Sequence, residues 1–383
     1  MTRNTPTSRP ASLPEALPRV RPARRSDVTA LVAIEDRCFE TDRLSRRNFS
    51  YLVRKGHDIF LVAEVNGTVA GYAIVLLHGT TSLARLYSMA VDPDYQRRGI
   101  GRVLLDAAEQ HTLDAGCTTL RLEVRPDNRA AIIAYRKAEY REIGVWPDYY
   151  EDHSDALRME KQLAGGDVPS LKRVPYFAQT LEFTCGPASL MMAMQALEPS
   201  IHLDRTQELH LWREATLIFT LSGHGGCGPH GLALAAWRRG FAVEVFVSHA
   251  GVPFIDSVRS PEKREVMRLI HEDFRAQFEA AGIPSHIGCV SATALGQRLE
   301  AGEIPIVLIS LYRIYGEKTP HWVVITGIDE HFVYFHDPYI DRAAGKTATD
   351  CINVPITRAE FDRVARYGGT RLRATVLLSH QHP

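Results

Sequence analysis

YQRRGIGRVLLDAAEQHTLDAG, residues 95–116, decides the fold of the first half of the chain. Gly99 and Gly101 fall in a loop, and Val103, Leu104, Ala107 and Ala108 then recur at helical spacing. Just ahead, ARLYSMAVDP (84–93) reads as a strand ended by Pro93. A strand, a glycine loop and a helix start make an anion site, because successive backbone N–H groups and the positive helix end can hold a diphosphate. The glycines let the backbone come close, and Arg97, Arg98 and Arg102 add charge. Alone, the stretch also suits a plain basic turn.

Its surroundings extend the pattern. DIFLVAEVNGTVAGYAIVLLHG (58–79) is a hairpin with Asn66-Gly67 as its two-residue turn. TTLRLEV (118–124) is a strand and NRAAIIAYRKA (128–138) a short helix. Residues 20–163 thus read as one α/β unit.

The loop QRRGIG, with RLEVRPDNRAAIIAYRKAEY (121–140) and WPDYYEDHSDALRME (146–160), resembles the GNAT acetyltransferases, and most nearly their RimI type. The resemblance spans 20–163. It implies a mixed sheet with flanking helices and acetyl-CoA as cofactor. The acceptor it implies is a protein or peptide with a free N-terminal amine, such as a ribosomal protein. By the same resemblance Met89 and Val91 offer backbone bonds to the pantetheine arm. Gln96, Arg97, Arg98, Gly99, Ile100, Gly101 and Arg102 hold the diphosphate, and Asn128 supports the cofactor. Glu123 is the base, acting through water, and Tyr135 the acid for the departing thiolate. A base is needed because an N-terminal amine is largely protonated near neutral pH. Without the resemblance, Glu123 reads as half of a strand-edge ion pair and Tyr135 as a packed helix residue. The family has Gly-Phe after the Tyr helix, where this chain has Glu139-Tyr140. A non-glycine in a left-handed cap costs about 1 kcal/mol.

LAGGDVPSLKRVP (163–175) is the best linker in the chain, and residues 164–172 are taken as the boundary. Beyond it, FTCGPASLMM (183–192) places Cys185 at a helix start, since Leu190, Met191, Met194 and Leu197 follow at helical spacing. That position favours a thiolate. Gln179, six residues earlier, can offer its amide to an oxyanion. A thiolate wants an imidazole, and the imidazole wants an orienting acceptor. HWVVITGIDEHFVYFHDPY (321–339) supplies both. Read as strands 321–328 and 332–338 around a turn at Asp329, facing residues sum to about 658. His321 then falls beside Asp337.

Gln, Cys, His and Asp in this order resemble papain-like cysteine peptidases, and more narrowly those that process bacteriocin leaders after a double glycine. The resemblance is firm at 174–197, 228–241 and 320–339. It implies an α+β domain over 173–380 with nucleophile Cys185, base His321, orienting Asp337 and oxyanion donor Gln179. The family's acidic residue before the cysteine is Thr184 here.

Cys-Gly-Pro recurs in GGCGPHGLALAA (225–236), but Leu221 stands where Cys227 would need a Gln. Cys227 reads as a turn cysteine lining the cleft. A metal at His224, Cys227 and His230 is an alternative that lacks a fourth ligand. The charged helix pattern within 252–300 reads as a solvated face with no chemistry assigned.

Lys+Arg and Asp+Glu both number 45 in 383 residues, which gives no reason for a nucleic-acid or membrane surface. The six cysteines form no CxxC, which fits a reducing cytoplasm. Residues 1–19 read as a disordered tail, or less readily a transit peptide. The expectation is a GNAT α/β domain followed by an α+β peptidase-like domain, both acting on one polypeptide. Two alternatives stand: a catalytically silent peptide-binding second domain, and a small-molecule amine as acceptor.

Overall fold

The computed structural model describes residues 17–77, 81–163, 171–217, 219–220, 223–315, 319–342 and 346–381. Packing divides the chain into two units, 1–77 with 84–165 and 78–83 with 166–383.

Unit one is a mixed α/β unit. Its strands are β1 (Arg19–Pro22), β2 (Ile59–Val65), β3 (Thr68–Leu77), β4 (Leu83–Val91), β5 (Thr119–Val124), β6 (Arg141–Trp146) and β7 (Ala156–Gln162). They form one sheet in the order β1-β2-β3-β4-β5-β7-β6. Its helices are α1 (Val28–Cys38), α2 (Arg46–Lys55), α3 (Ile100–Asp114) and α4 (Arg129–Lys137). Asn66 and Gly67 both take positive φ, as a tight hairpin between twisted strands requires. Two apolar clusters fill this unit. One holds Leu104, Leu120 and Tyr135, and the other Leu31, Phe49 and Tyr72. Residues 1–16 of the expected tail lie outside the described residues. Arg19, read as the end of that tail, instead pairs with Glu64 in the sheet.

Unit two is an α+β unit. Its helices are α5 (Cys185–Leu197), α6 (Arg205–Ala215), α7 (Pro229–Trp237), α8 (Pro261–Ala281), α9 (Ala292–Glu300), α10 (Tyr312–Tyr315) and α11 (Arg358–Val364). A small ribbon pairs β8 (Phe219–Thr220) with β9 (Gly223–His224). The main strands are β10 (Phe241–Val247), β11 (Ser285–Ile287), β12 (Ile304–Ser310), β13 (Pro320–Ile328), β14 (Phe332–His336), β15 (Val354–Thr357) and β16 (Ala374–His380). Their order is β11-β10-β16-β12-β13-β14-β15. α5 is buried on nearly every side, which is why it reads as continuously apolar. Gly231 lets α6 and α7 meet, since a Cβ there would lie 2.5 Å from the Ala215 carbonyl oxygen.

The expected linker 164–172 falls mostly outside the described residues. At its end the Lys172 N–H donates to the Thr326 carbonyl at 2.7 Å. The second unit's hydrogen bonding therefore begins inside the span read as linker. Among the described residues no helix is long and apolar enough to cross a membrane.

Candidate active sites

In unit one, β4 carries an extra residue. Ile74 pairs with Ser88 while Val75 pairs with Leu86, so Tyr87 is a bulge. Beyond it Met89 and Val91 run half-buried to the strand end. There Gln96 donates its Nε2 to the Val91 carbonyl at 3.1 Å. Gln96, expected to hold the diphosphate, thus has one Nε2 hydrogen on the strand and keeps the other. Arg97 and Gly99 both take positive φ, and Ile100 opens the 15-residue α3. The first amides of a helix have no intrahelical acceptor and carry its positive end. The donor set of Arg97–Gly101 therefore fits a diphosphate. Arg97 and Arg98 are exposed around it. Arg102 points elsewhere, its Nε 2.8 Å from Asp106 one turn on.

Asn128 is the N-cap of α4, accepting the Ala131 N–H at 3.1 Å. That bond uses one lone pair of the oxygen and leaves the Nδ2 hydrogens for a cofactor. Glu139 adopts φ 69°. The Tyr140 N–H reaches the Tyr135 carbonyl and the Glu139 N–H reaches Arg136, both at 3.0 Å. This is a complete Schellman ending, closed by the Tyr135 and Tyr140 rings 5.6 Å apart. The helix therefore ends where a glycine would end it, and Tyr135 is fixed on its buried face. Burial pushes the Tyr135 phenol up to about 12.

Glu123 is half of a buried ion pair. Arg85 Nε donates to its Oε2 at 2.7 Å, and both side chains are almost fully enclosed. Arg85 also bonds the Tyr149 hydroxyl. Glu123 Oε1 is buried with no partner. The ion-pair reading of Glu123 thus describes one of its oxygens, and the other stays available. Sequence reasoning missed Arg85. Its signal was a lone cation in the otherwise apolar run LARLYSMAV.

In unit two, α5 begins at Cys185. Ser189 on this helix donates to the Trp322 carbonyl at 2.9 Å, which lays α5 along β13. His321 precedes Trp322 and gives Nε2 to Asp337 Oδ1 at 2.7 Å. Its remaining nitrogen, Nδ1, is the one left for the Cys185 thiol, with which the ring interacts. Burial disfavours the imidazolium, but Asp337 and then Cys185 outweigh it and push His321 up to about 10.

The hairpin register differs from the expected one. Val324 pairs with His336, and a shift between Ile325 and Gly327 leaves Thr326 unpaired in the ladder. The facing sum is 660 on the His321 side of the shift and 661 beyond it, rather than 658, and β14 stops at His336. Asp337 is therefore a diagonal neighbour of His321 beyond the strand end, still within side-chain reach. It is pinned there by its own N–H on the Cys351 carbonyl at 2.8 Å. The Tyr339 N–H bonds its Oδ1 at 2.8 Å, and the Tyr176 hydroxyl bonds its carbonyl at 3.0 Å.

Gln179 donates its backbone N–H to the Pro338 carbonyl at 2.8 Å, which brings it to the Asp337 end of the site. One Nε2 hydrogen goes to the Leu181 carbonyl at 2.8 Å, leaving the second for an oxyanion. Thr184, where the family has an acid, bonds Glu208 of α6 through its hydroxyl. Glu208 also takes the Thr180 N–H at 2.8 Å and the Thr180 hydroxyl. The carboxylate is thus supplied from another helix, which no local motif reveals.

Cys227 is 2 % exposed and takes the Trp322 indole N–H on its carbonyl at 3.0 Å. Burial first, then the nearness of Cys185, pushes its thiol well up. His230 turns its Nε2 to Ser285 Oγ at 3.2 Å, and the His224 side chain lies outside the described residues. Among the described residues no group of three or more His, Cys, Asp or Glu is arranged to hold a metal.

Comparison with known proteins assigns each unit. Residues 28–140 match the acetyltransferase (GNAT) family, and residues 174–379, over half the chain, match the Peptidase_C39-like family. An acetyltransferase of Pectobacterium atrosepticum is 32 % identical over 126 residues, covering 32 % of this chain and 88 % of that protein. The [ribosomal protein bS18]-alanine N-acetyltransferase of Escherichia coli is 39 % identical over 97 residues. That match covers 24 % of this chain and 64 % of the enzyme's length. Its crystal structure aligns at 30 % identity and TM-score 0.36 over 40 % of this chain and 99 % of that one. The chain belongs to the Peptidase_C39-like family through its second unit and carries, as its first, an N-acetyltransferase domain of the GNAT family.

Proposed function

We propose that the first unit transfers acetyl from acetyl-CoA to the N-terminal amine of a protein or peptide, of the ribosomal-protein-alanine type. The observation that carries this is the pairing of a diphosphate cradle at Arg97–Gly101 with an unpartnered Glu123 Oε1. Bound acetyl-CoA supplies an activated thioester carbonyl. Arg85 holds the Glu123 carboxylate in place through Oε2, which leaves Oε1 facing the site. Oε1 then accepts from a water that relieves the incoming ammonium of a proton. Tyr135, held protonated by burial, donates to the departing thiolate. Acetylation of peptides that vary in their first residue, followed by mass spectrometry, tests this. An activity confined to small amines overturns the protein-acceptor reading.

The second unit is a thiol peptidase in this reading, carried by His321 held between Asp337 and Cys185. Cys185 attacks a peptide carbonyl. The backbone N–H of Cys185 and the second Gln179 amide hydrogen hold the oxyanion. His321 returns its proton to the leaving amine, and water frees the acyl group. Cleavage of a peptide library that disappears in Cys185→Ala and His321→Ala is the test. A second reading, a silent peptide-binding site, is favoured by the enclosure of the triad. Cys185, His321 and Asp337 are 8, 3 and 2 % exposed. Peptide binding without cleavage in the wild type selects it. We place both reactions in a reducing compartment, on the six free cysteines.

A further inference from the structure

Unit two holds a cavity of about 260 Å³ between α7, α8, the end of β10 and β11. Its lining divides by chemistry. Val247, Phe278 and Ile283 form an apolar wall, while His230, His271 and Arg275 face it with polar groups. His230 and His271 are 6 and 5 % exposed, with rings 5.4 Å apart and edge to face. His230 has Ser285 on Nε2, and its Nδ1 has no partner. His271 lies near the backbone of Ala250, yet neither of its nitrogens closes a hydrogen bond of good geometry. His249 also lines the cavity with an unpartnered Nε2. Unpaired polar atoms at such depth are unfavourable unless something meets them.

The charged side chains that line the cavity are Arg275 and Glu279. Burial holds His230 down to about 4, and the neighbouring His271 and Arg275 add to that. His271 is lowered by burial and by Arg275. Both rings are therefore neutral near pH 7, each with one donor and one acceptor nitrogen. The Arg275 guanidinium makes no ion pair among the described residues. Glu279, one turn along α8, also lines the cavity without closing a bridge to it. An Arg placed before a Glu is the weaker order for such a pair. Glu279 is exposed at the rim, and its repulsion grows with the charge of an anion, which favours a singly charged ligand over a multiply charged one.

We infer that this cavity binds a small monocarboxylic acid with a compact apolar body. The carboxylate meets Arg275 and the imidazole N–H groups, and the body lies on Phe278 and Ile283. β10 is three strands from β13 in the sheet, about 14 Å at ordinary strand spacing. The site is therefore separate from the triad and independent of the reading of its activity.

Titration calorimetry on the full chain tests this with hexanoate, its neutral counterpart hexanamide, and inorganic phosphate. Hexanoate is expected to bind one site, with hexanamide and phosphate roughly tenfold weaker or more. Arg275→Gln is on the exposed side of α8 and keeps helix propensity. It should weaken hexanoate about tenfold while leaving the melting temperature and the alkylation rate of Cys185 unchanged. Hexanoate that fails to bind at millimolar concentration, binds no better than hexanamide or phosphate, or binds Arg275→Gln equally well overturns the proposal.

Discussion

His321 Nε2 lies 2.7 Å from Asp337 Oδ1 although the two residues are not opposite one another in the hairpin. Asp337 is past the end of β14, and backbone groups from Tyr339 and Cys351 hold it. Asp337→Asn is expected to keep the fold and lower the affinity of His321 for its proton. Iodoacetamide labelling of Cys185 at pH 6 should then fall about tenfold or more, because the imidazolium beside its sulfur is lost. Equal labelling of wild type and variant would show that Asp337 does not act through the ring.

The same pair sets a pH dependence. His321 is raised from 6.5 to about 10 in the folded protein, so the folded state holds this proton more tightly. Its stabilisation is fully present below pH 6.5 and is lost as the pH rises through 10. Thermal melts of wild type and His321→Gln should differ most at pH 6 and converge toward pH 10. A gap that widens with pH contradicts the assignment.

Glu208 is fully buried and receives Thr180 twice and Thr184 once, just ahead of Cys185. Glu208→Ala leaves the Thr180 N–H and hydroxyl unpaired, while the Thr184 hydroxyl keeps the Leu181 carbonyl, and should cost about 3 kcal/mol. The urea midpoint of the second unit reads this loss. Glu208→Gln keeps an acceptor oxygen and should recover most of it.

Glu139 takes φ 69° to close the helix end, while its side chain makes no hydrogen bond or ion pair among the described residues and only a longer-range attraction to Arg102. Glu139→Gly should stabilise unit one by about 0.5–1 kcal/mol, less than the full strain because glycine also loosens the unfolded chain. Denaturant unfolding followed in unit one measures it. A loss of stability would mean that the carboxylate has a role of its own.

Local periodicity made much of this molecule legible. The Asn66-Gly67 hairpin, the helix after Gly99 and the helix after Cys185 all announce themselves within a dozen residues. The register of the 320–336 hairpin did not. A bulge at Thr326 is one residue inserted in a strand buried along nearly its whole length, and no alternation marks it. Arg85 with Glu123, and Thr184 with Glu208, pair residues 38 and 24 positions apart. Such pairs depend on which elements become neighbours, which the pattern along one element does not encode. α8 showed its polar face in sequence. Its other face, with His271, became informative only once His230 and Arg275 were placed around one cavity.

The strand-like segment ahead of Cys185 belongs to the site as much as the cysteine does. Lys172 is tied to Thr326, Val174 to His336, Tyr176 to Asp337 and Gln179 to Pro338. Anyone dividing the polypeptide to obtain the second unit alone must therefore cut upstream of Lys172. A fragment beginning at Phe183 would carry Cys185, His321 and Asp337 yet lack the clamp across β14. It should behave as a loosened protein whose cysteines react with little preference among them.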